Sequence, residues 1–390
     1  MSPFSFFYYF LSGLLYILAL PLLVYLSFKQ KYKESIPSRF FLFKNPPFAS
    51  KDGIWFHVCS LGEARALKPI LDLLGNEQDI KITTITHTGQ SEARKYDVEV
   101  RYLPYELLLP FWIKKQKILV VLEAEFWYML FLIAFKKDTK IILLNARISE
   151  RSAKKYLQFA WFYKKIFAYV DTIYAQSAMD KNRFLALGAK NIEVIGNIKL
   201  AQKIITTKEY NKPMGEIIVG ASTHPTEEEA ILKGFIEYKK QHNDAKLILV
   251  PRHPERFDAV HGLILTYAEK SGCSSSKFSE SRTFQTDIVL VDAMGELNNI
   301  YKISDIAILG GAFREDVGGH NPLEPAHFGC KIITGKHFFH QKELFKYVHH
   351  VQYIESDEIY KALLASKELP PSMVEEKIDL TQVVEKILEN

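Results

Sequence analysis

GGHNPLEPA, Gly318–Ala326, lies between two apolar runs, DIAILGGAF (Asp305–Phe313) and HFGCKIITG (His327–Gly335). The first run reads as a buried strand closing on a Gly-Gly turn, and the second as the approach to another strand. A strand, a glycine turn, a polar segment and then an acid at a helix start form a layout that cradles nucleotides. Backbone N–H groups at a helix N-terminus hold phosphate, and an acid in the following turn accepts bonds from ribose hydroxyls. A plain glycine loop between strand and helix has the same outline.

The same grammar extends outward from this stretch. GIWFHVC (Gly53–Cys59), KITTIT (Lys81–Thr86), KILVVLEAE (Lys117–Glu125), KIILLNA (Lys140–Ala146), TIYAQS (Thr172–Ser177) and IEVIG (Ile192–Gly196) read as strands. ARALKPILDLL (Ala64–Leu74) and GQSEARKY read as helices between them. A polar stretch from about Leu200 to Glu216, with Pro213 and Gly215, reads as an interdomain linker. A second series follows: EIIVGAS (Glu216–Ser222), KLILVPR (Lys246–Arg252), DIVLVDA (Asp287–Ala293), DIAILGG and CKIITG. Between its first two strands, PTEEEAILKGFIEYKKQ (Pro225–Gln241) is a helix, with Pro225 in the first turn and Glu227, Glu228 and Glu229 after it. A chain of 390 residues is comfortable for two domains. The predicted architecture is α/β, with two doubly wound Rossmann-like domains, 31–205 and 206–390, facing across a cleft. Ligands are expected at the carboxyl ends of the strands.

Residues 1–30 are expected to be a membrane anchor. The first 28 residues carry no charge, and Phe4–Phe28 is long enough to span or deeply enter a bilayer. The basic n-region and small-residue cleavage site of a signal peptide are missing. Lys29, Lys31, Lys33, Arg39, Lys44 and Lys51 follow, opposed only by Glu34. That asymmetry predicts a cytoplasmic flank drawn to anionic head groups. Overall charge, 50 Lys+Arg against 45 Asp+Glu, is too balanced to indicate a nucleic-acid partner. Cys59, Cys273 and Cys330 are widely spaced, so neither a zinc knuckle nor a disulfide framework is indicated, as suits a reducing compartment. Of the twelve histidines, His224, His253, His320 and His327 show no HExxH or paired ligand spacing, so no metal is expected.

Unusual polar residues gather just after the strands. HVCSLGEARA presents Ser60, Gly62 and Glu63 at a strand end and helix start. There Glu63 reads either as a functional acid or as a complement to the helix N-terminus. LEAEFW places Glu123 and Glu125 at the end of an apolar run; alternating along a strand, they are predicted to face opposite ways. NARISERSAKKY adds Asn145, Arg147, Ser149 and Arg151. In the second half Ser222, Thr223 and His224 follow a strand, PRHPERF (Pro251–Phe257) is a rigid turn presenting Arg252, and MGEL spans Met294–Leu297.

HVCSLGEA, LEAEFW, NARISERSAKKY, AQSAMDKNRFLALGA with GNIK, ASTHPTEEEA, LVPRHPERF, MGEL with IYKISD, and GGHNPLEPA occur in this order. Together they closely resemble the 3-deoxy-D-manno-octulosonic acid (Kdo) transferases of lipopolysaccharide biosynthesis, from the anchor to about Phe345. The resemblance implies an inverting glycosyltransferase of the two-Rossmann GT-B type. It would move Kdo from the donor CMP-Kdo to a lipid A precursor, lipid IVA, on the cytoplasmic face of the inner membrane. It implies Glu63 as general base. It implies CMP held by Pro251 and Arg252, by Met294, Gly295 and Glu296, and by Asn321, Pro322, Leu323 and Glu324. Ser60, Gly62, Glu123, Arg147, Ser222, Thr223, His224, Gly319 and His320 become further donor or acceptor contacts. The basic flank, with Arg147, Arg151, Lys154 and Lys155, is suited to acceptor phosphates or the Kdo carboxylate. No cofactor is expected, because CMP carries one phosphate and gives a divalent ion nothing to bridge. The chain departs from the family pattern at Cys59, where Ser or Ala is common. It departs again at LEAEFWYML, where Ala124 and Tyr128 replace the Thr and Pro of ETELWPN.

Overall fold

Val, Ile and Leu fill the strand segments so densely that both faces of each sheet must be covered. A computed structural model describes residues 2–201, 204–375 and 378–389. The first sheet contains β1 (Ile54–His57), β2 (Ile80–Thr84), β3 (Glu99–Tyr102), β4 (Ile118–Leu122), β5 (Lys140–Ala146), β6 (Thr172–Ala175) and β7 (Ile192–Val194). The second contains β8 (Ile217–Thr223), β9 (Lys246–Pro251), β10 (Ser275–Lys277), β11 (Ile288–Leu290), β12 (Ile306–Leu309) and β13 (Lys331–Thr334). A two-residue strand, β14 (Val348–His349), precedes β15 (Val351–Tyr353), which joins the second sheet; β16 (Met373–Val374) pairs antiparallel with β14.

The strand orders are β3-β2-β1-β4-β5-β6-β7 and β10-β11-β9-β8-β12-β13-β15, with parallel pairing throughout. The winding passes to the other side of the first strand between β1 and β4 in the first sheet and between β8 and β12 in the second, where β11 also returns to lie between β10 and β9. Such switch points open a crevice at the carboxyl edge, where α/β folds bind ligands. The period-2 alternation of β4 fixes what each face buries. Leu119 and Val121 join a core with Trp55, Phe131 and Ile166, whereas Ile118, Val120 and Leu122 join one with Phe56, Leu67 and Ile82. In the second sheet Ile218, Leu247, Leu249 and Ile306 pack against Ile231, Phe235 and Ile264 of the covering helices.

The chain divides into two units, Met1–Gln202 with Ile378–Asn390, and Lys203–Lys377. One assignment changes: residues 206–390 do not all belong to the second domain. The helix Thr381–Leu388 buries Val383, Val384 and Ile387 in the core that holds Leu67, Ile70 and Leu74 of the first unit. Residues 202 and 203 of the expected linker lie outside the described residues. Two helix boundaries differ as well. Residues 64–74 form two helices, Leu61–Ala66 and Lys68–Leu74, divided at Leu67 ahead of Pro69. Pro225 lies before the helix Glu227–Lys239 and not in its first turn, since Thr226 intervenes at φ +79°.

The uncharged N-terminal segment is one helix, Pro3–Ser27, with a mean hydropathy of 2.1 over its most apolar window. It is docked on the first unit through its few polar side chains. Tyr8 donates to Glu106 (2.6 Å), Tyr9 to the Leu107 carbonyl (2.9 Å) and Tyr16 to the Phe40 carbonyl (2.5 Å). Ser5 meets the Tyr128 hydroxyl at 2.7 Å, and Ser12 donates to that of Tyr105 at 3.2 Å. Glu106 also caps the helix Tyr128–Lys136 by accepting the Met129 N–H at 2.7 Å.

Candidate functional site

In the first unit, polar groups collect where β1 and β4 end. Ser60 caps the helix Leu61–Ala66, accepting the Glu63 N–H at 3.3 Å while its hydroxyl donates to Glu63 Oε1 at 2.8 Å. The Cys59 N–H donates to Glu63 Oε2 at 2.8 Å. Both carboxylate oxygens are thus aimed, although Glu63 is only 8% exposed. The turn is held from behind by Gly89, whose added Cβ would come within 2.9 Å of the Cys59 carbonyl. Gly62 has room for a side chain: a Cβ there would meet Ser60 Oγ at 3.9 Å, an ordinary contact distance.

Glu123 and Glu125 do not sit on opposite strand faces as alternation predicts. β4 ends at Leu122, and Glu123 turns into the left-handed region at φ +55°. Both carboxylates then act on the surroundings of Glu63. Glu123 takes Lys199 at 2.9 Å and Arg147 at 3.2 Å. Glu125 accepts the Trp127 indole N–H at 2.8 Å and a bond from the Cys59 thiol. Glu63 has no ion pair among the described residues. Burial raises its pKa above the ordinary carboxylate value, and the charges of Glu123 and Glu125 add to this, against the lowering by the Cys59 N–H. A carboxylate so placed holds a proton more readily than an ordinary glutamate, as general-base chemistry requires. The side chain of Arg151 lies outside the described residues.

The second unit builds its cluster where β8, β9 and β12 end. Ser222 is left-handed at φ +52°, and the pairing of β8 with β9 shifts register beside it. Thr223 turns inward: its hydroxyl donates to Glu228 at 2.9 Å, and Arg256 grips the same carboxylate. Glu227, 2% exposed, joins two loops by accepting the His224 N–H at 2.9 Å and the Gly311 N–H at 2.8 Å. A Cβ at Gly310 would lie 2.7 Å from this carboxylate, so only glycine fits there. Across these loops His224 and His320 meet Nε2 to Nε2 at 2.9 Å with stacked rings, and His253 stands edge-on to His224 at 5.5 Å.

Arg252 is exposed beside this group, held at its N–H by the Thr223 carbonyl at 3.0 Å. Asn321 accepts the Leu323 N–H at 3.0 Å and donates to Glu324 at 3.2 Å, while Pro251, Pro322 and Leu323 are buried. The Gly319 N–H donates to the Gly311 carbonyl at 2.8 Å. In the MGEL loop Met294 is 60% exposed and Gly295 left-handed, but Glu296 is 4% exposed. Its carboxylate is occupied by Lys208, by Tyr210 at 2.7 Å and by Asn299 at 2.8 Å.

Several of these participants carry no distinguishing mark in the sequence. Glu227 and Glu228 were explained by a helix start alone. Lys199 lay unremarked inside GNIK, and Arg256 inside PRHPERF.

Burial, then the neighbouring His224, Arg252 and His253, push the His320 pKa down to about 4; burial also lowers that of His224. Both rings are neutral at pH 7. The unfolded chain binds a proton near pH 6.5 that the folded chain refuses, so stability falls as pH drops from about 6.5 toward 4. Melting curves across that range should show the decline, and His320→Gln should lessen it, leaving the part due to His224 and to His57, whose pKa burial pushes down to about 3. Parallel declines in both proteins would exclude His320 as the source.

The family model for 3-deoxy-D-manno-octulosonic-acid transferase (kdotransferase) matches residues 34–202. A 3-deoxy-D-manno-octulosonic acid transferase of Haemophilus influenzae is 33% identical over 83% of this chain and 79% of its own length. One from Aquifex aeolicus is 35% identical over 73% and 76%, respectively. Among solved structures, a putative UDP-N-acetylglucosamine 2-epimerase from Listeria monocytogenes aligns with a TM-score of 0.52 and 12% identity. That alignment covers 82% of this chain and 88% of the epimerase, and it speaks for shared architecture alone.

Proposed function

The chain belongs to the Kdo transferases, glycosyltransferases of lipopolysaccharide synthesis, and from that membership we propose that it moves Kdo from CMP-Kdo to lipid IVA with Glu63 as general base. The observation that carries the reading is Glu63 itself. It is a buried carboxylate at the switch point of β1 and β4, aimed by Cys59 and Ser60 and left without a cation among the described residues. The acceptor hydroxyl gives its proton to Glu63 while its oxygen bonds to the anomeric carbon of Kdo. The bond from that carbon to the CMP phosphate oxygen breaks, and CMP leaves with the electron pair. Attack opposite the leaving group inverts the anomeric centre.

Charge growing on the departing phosphate is met by Arg252. Pro251, Met294, Gly295 and the Asn321–Glu324 segment complete the CMP contacts. Glu296, already occupied by its own neighbours, shapes the MGEL loop from beneath. No metal is required in this reading, because a single phosphate is served by one guanidinium. The lipid acceptor places the enzyme at the inner membrane on the cytoplasmic side, where the N-terminal helix and Lys29, Lys31 and Lys33 meet lipid.

Incubation with CMP-Kdo and lipid IVA, followed by mass spectrometry, tests donor and acceptor together; an unmodified lipid IVA refutes the assignment. Arg252→Ala should raise the donor KM about tenfold or more. CMP should compete with the donor and UDP should not. Transfer should continue at its full rate in EDTA, and a loss restored by magnesium would bring a metal into the reaction.

A further inference from the structure

The helix Pro3–Ser27 is apolar all round in sequence, yet its surroundings divide it into two faces. Positions 5, 8–9, 12–13, 16, 19–20, 23 and 26–27 are sheltered, and those between are exposed. The period is helical and runs the whole length. The sheltered face carries the polar groups, Ser5, Tyr8, Tyr9, Ser12 and Tyr16, all bonded to the first unit. The outward face carries Phe6, Phe10, Leu14, Ile17 and Leu22, each at least 45% exposed. A helix that turns its hydroxyls inward and its Phe and Leu outward is built for a non-aqueous exterior.

The same contacts restrict how that exterior is met. The helix is about 37 Å long, and the hydrocarbon core of a bilayer is about 30 Å thick. The folded unit is bonded along the helix from Ser5 to Tyr16. Lys165 of that unit stands 5.1 Å from the Phe4 ring, at the end a crossing would take away from the cytoplasmic side, whereas Lys29, 5.0 Å from the Tyr25 ring, belongs to the basic flank that follows the helix. A crossing helix would carry Lys165, and Glu106 bonded to Tyr8, into hydrocarbon, at a cost of several kcal/mol per charge. Exposed Trp161 meets the Phe4 ring edge-on at 5.7 Å, and exposed Phe43 with Lys44 over its ring follows the helix. Aromatic rings and lysines around an apolar face match the interface of an anionic leaflet.

We propose that Pro3–Ser27 lies in the plane of the membrane, embedded in one anionic leaflet, and does not cross to the other side. The inference rests on the lipid contact put forward above and fixes its geometry. Two measurements on the full chain separate the two. The protein should float with phosphatidylglycerol vesicles, less with phosphatidylcholine vesicles, and less again in 0.5 M salt. Absence of flotation would overturn the lipid contact itself. An epitope placed before Ser2 should be protected from protease added to spheroplasts and digested in inverted membrane vesicles. Digestion in spheroplasts would leave the lipid contact standing and overturn the in-plane geometry. Phe6→Ser, Phe10→Ser and Leu14→Ser combined should abolish flotation with an unchanged melting temperature, because the docked face is untouched. A concentration-dependent dimer of the parent, lost in this variant while flotation persists, would assign the face to a second copy and overturn the proposal.

Discussion

Glu63→Gln folds as well as the parent protein and loses transfer by about 10²–10⁴-fold, the usual contribution of a positioned base. The amide keeps the shape: its oxygen accepts the Cys59 N–H and its nitrogen donates to Ser60, the two partners that hold the carboxylate. Only the ability to take a proton disappears. Stability moves the other way. The folded pKa of Glu63 is raised above its ordinary 4.5, so the stability associated with this group is greatest below that value and is lost as pH rises through the folded one. At pH 7 the neutral variant should therefore melt no lower than the parent. CMP affinity, measured by calorimetry, should be unchanged. Near-normal turnover would remove Glu63 from the chemistry, and a collapse of the melting temperature would make its role structural. In the parent, the acid limb of kcat/KM should lie above the range of an exposed glutamate, and Glu63→Asp should recover part of the rate.

Glu227→Ala should have the largest effect in the second unit. The carboxylate is buried and accepts N–H groups from the loops after β8 and β12, so its removal leaves buried donors without partners. Each costs about 1–3 kcal/mol, which for two donors lowers the melting temperature by roughly 4–24 °C. Donor affinity should fall at least tenfold, because the loops released carry His224 and His320. Glu227→Gln separates the two effects. An amide oxygen at the Oε2 position still accepts the His224 and Gly311 N–H groups (2.9 and 3.0 Å), while an NH2 replaces Oε1, which faces the Gly311 N–H at 2.8 Å, so the join is weakened and not lost. The expected outcome is a smaller loss of melting temperature, a raised donor KM and a largely retained kcat. A fall in kcat at unchanged KM would deny Glu227 its positioning role.

The strands were legible because runs such as ILVVL and KIILLNA are buried on both faces and need no alternation to be found. The acids beyond them were harder. Glu123 and Glu125 looked like strand residues because nothing in LEAEFW marks the left-handed turn that ends β4. Glu227 went unnoticed because acids in a first helical turn already have a sufficient local explanation. The docking of Pro3–Ser27 was invisible to hydropathy, since both faces are apolar and the difference lies in a few hydroxyls. The helix Thr381–Leu388 shows an amphipathic pattern, but a pattern does not name the core it enters, and nearness in sequence suggested the wrong one.

That closing helix bears on how the protein is made. Residues 381–388 complete the core around Leu67, Ile70 and Leu74, yet they follow the whole second unit, about 175 residues. At about 5–20 residues per second a ribosome takes roughly 9–35 s to synthesise that stretch. For that interval the first-made sheet has an apolar floor open to water, and the earliest half of the chain stays unfinished until residues translated long after it arrive.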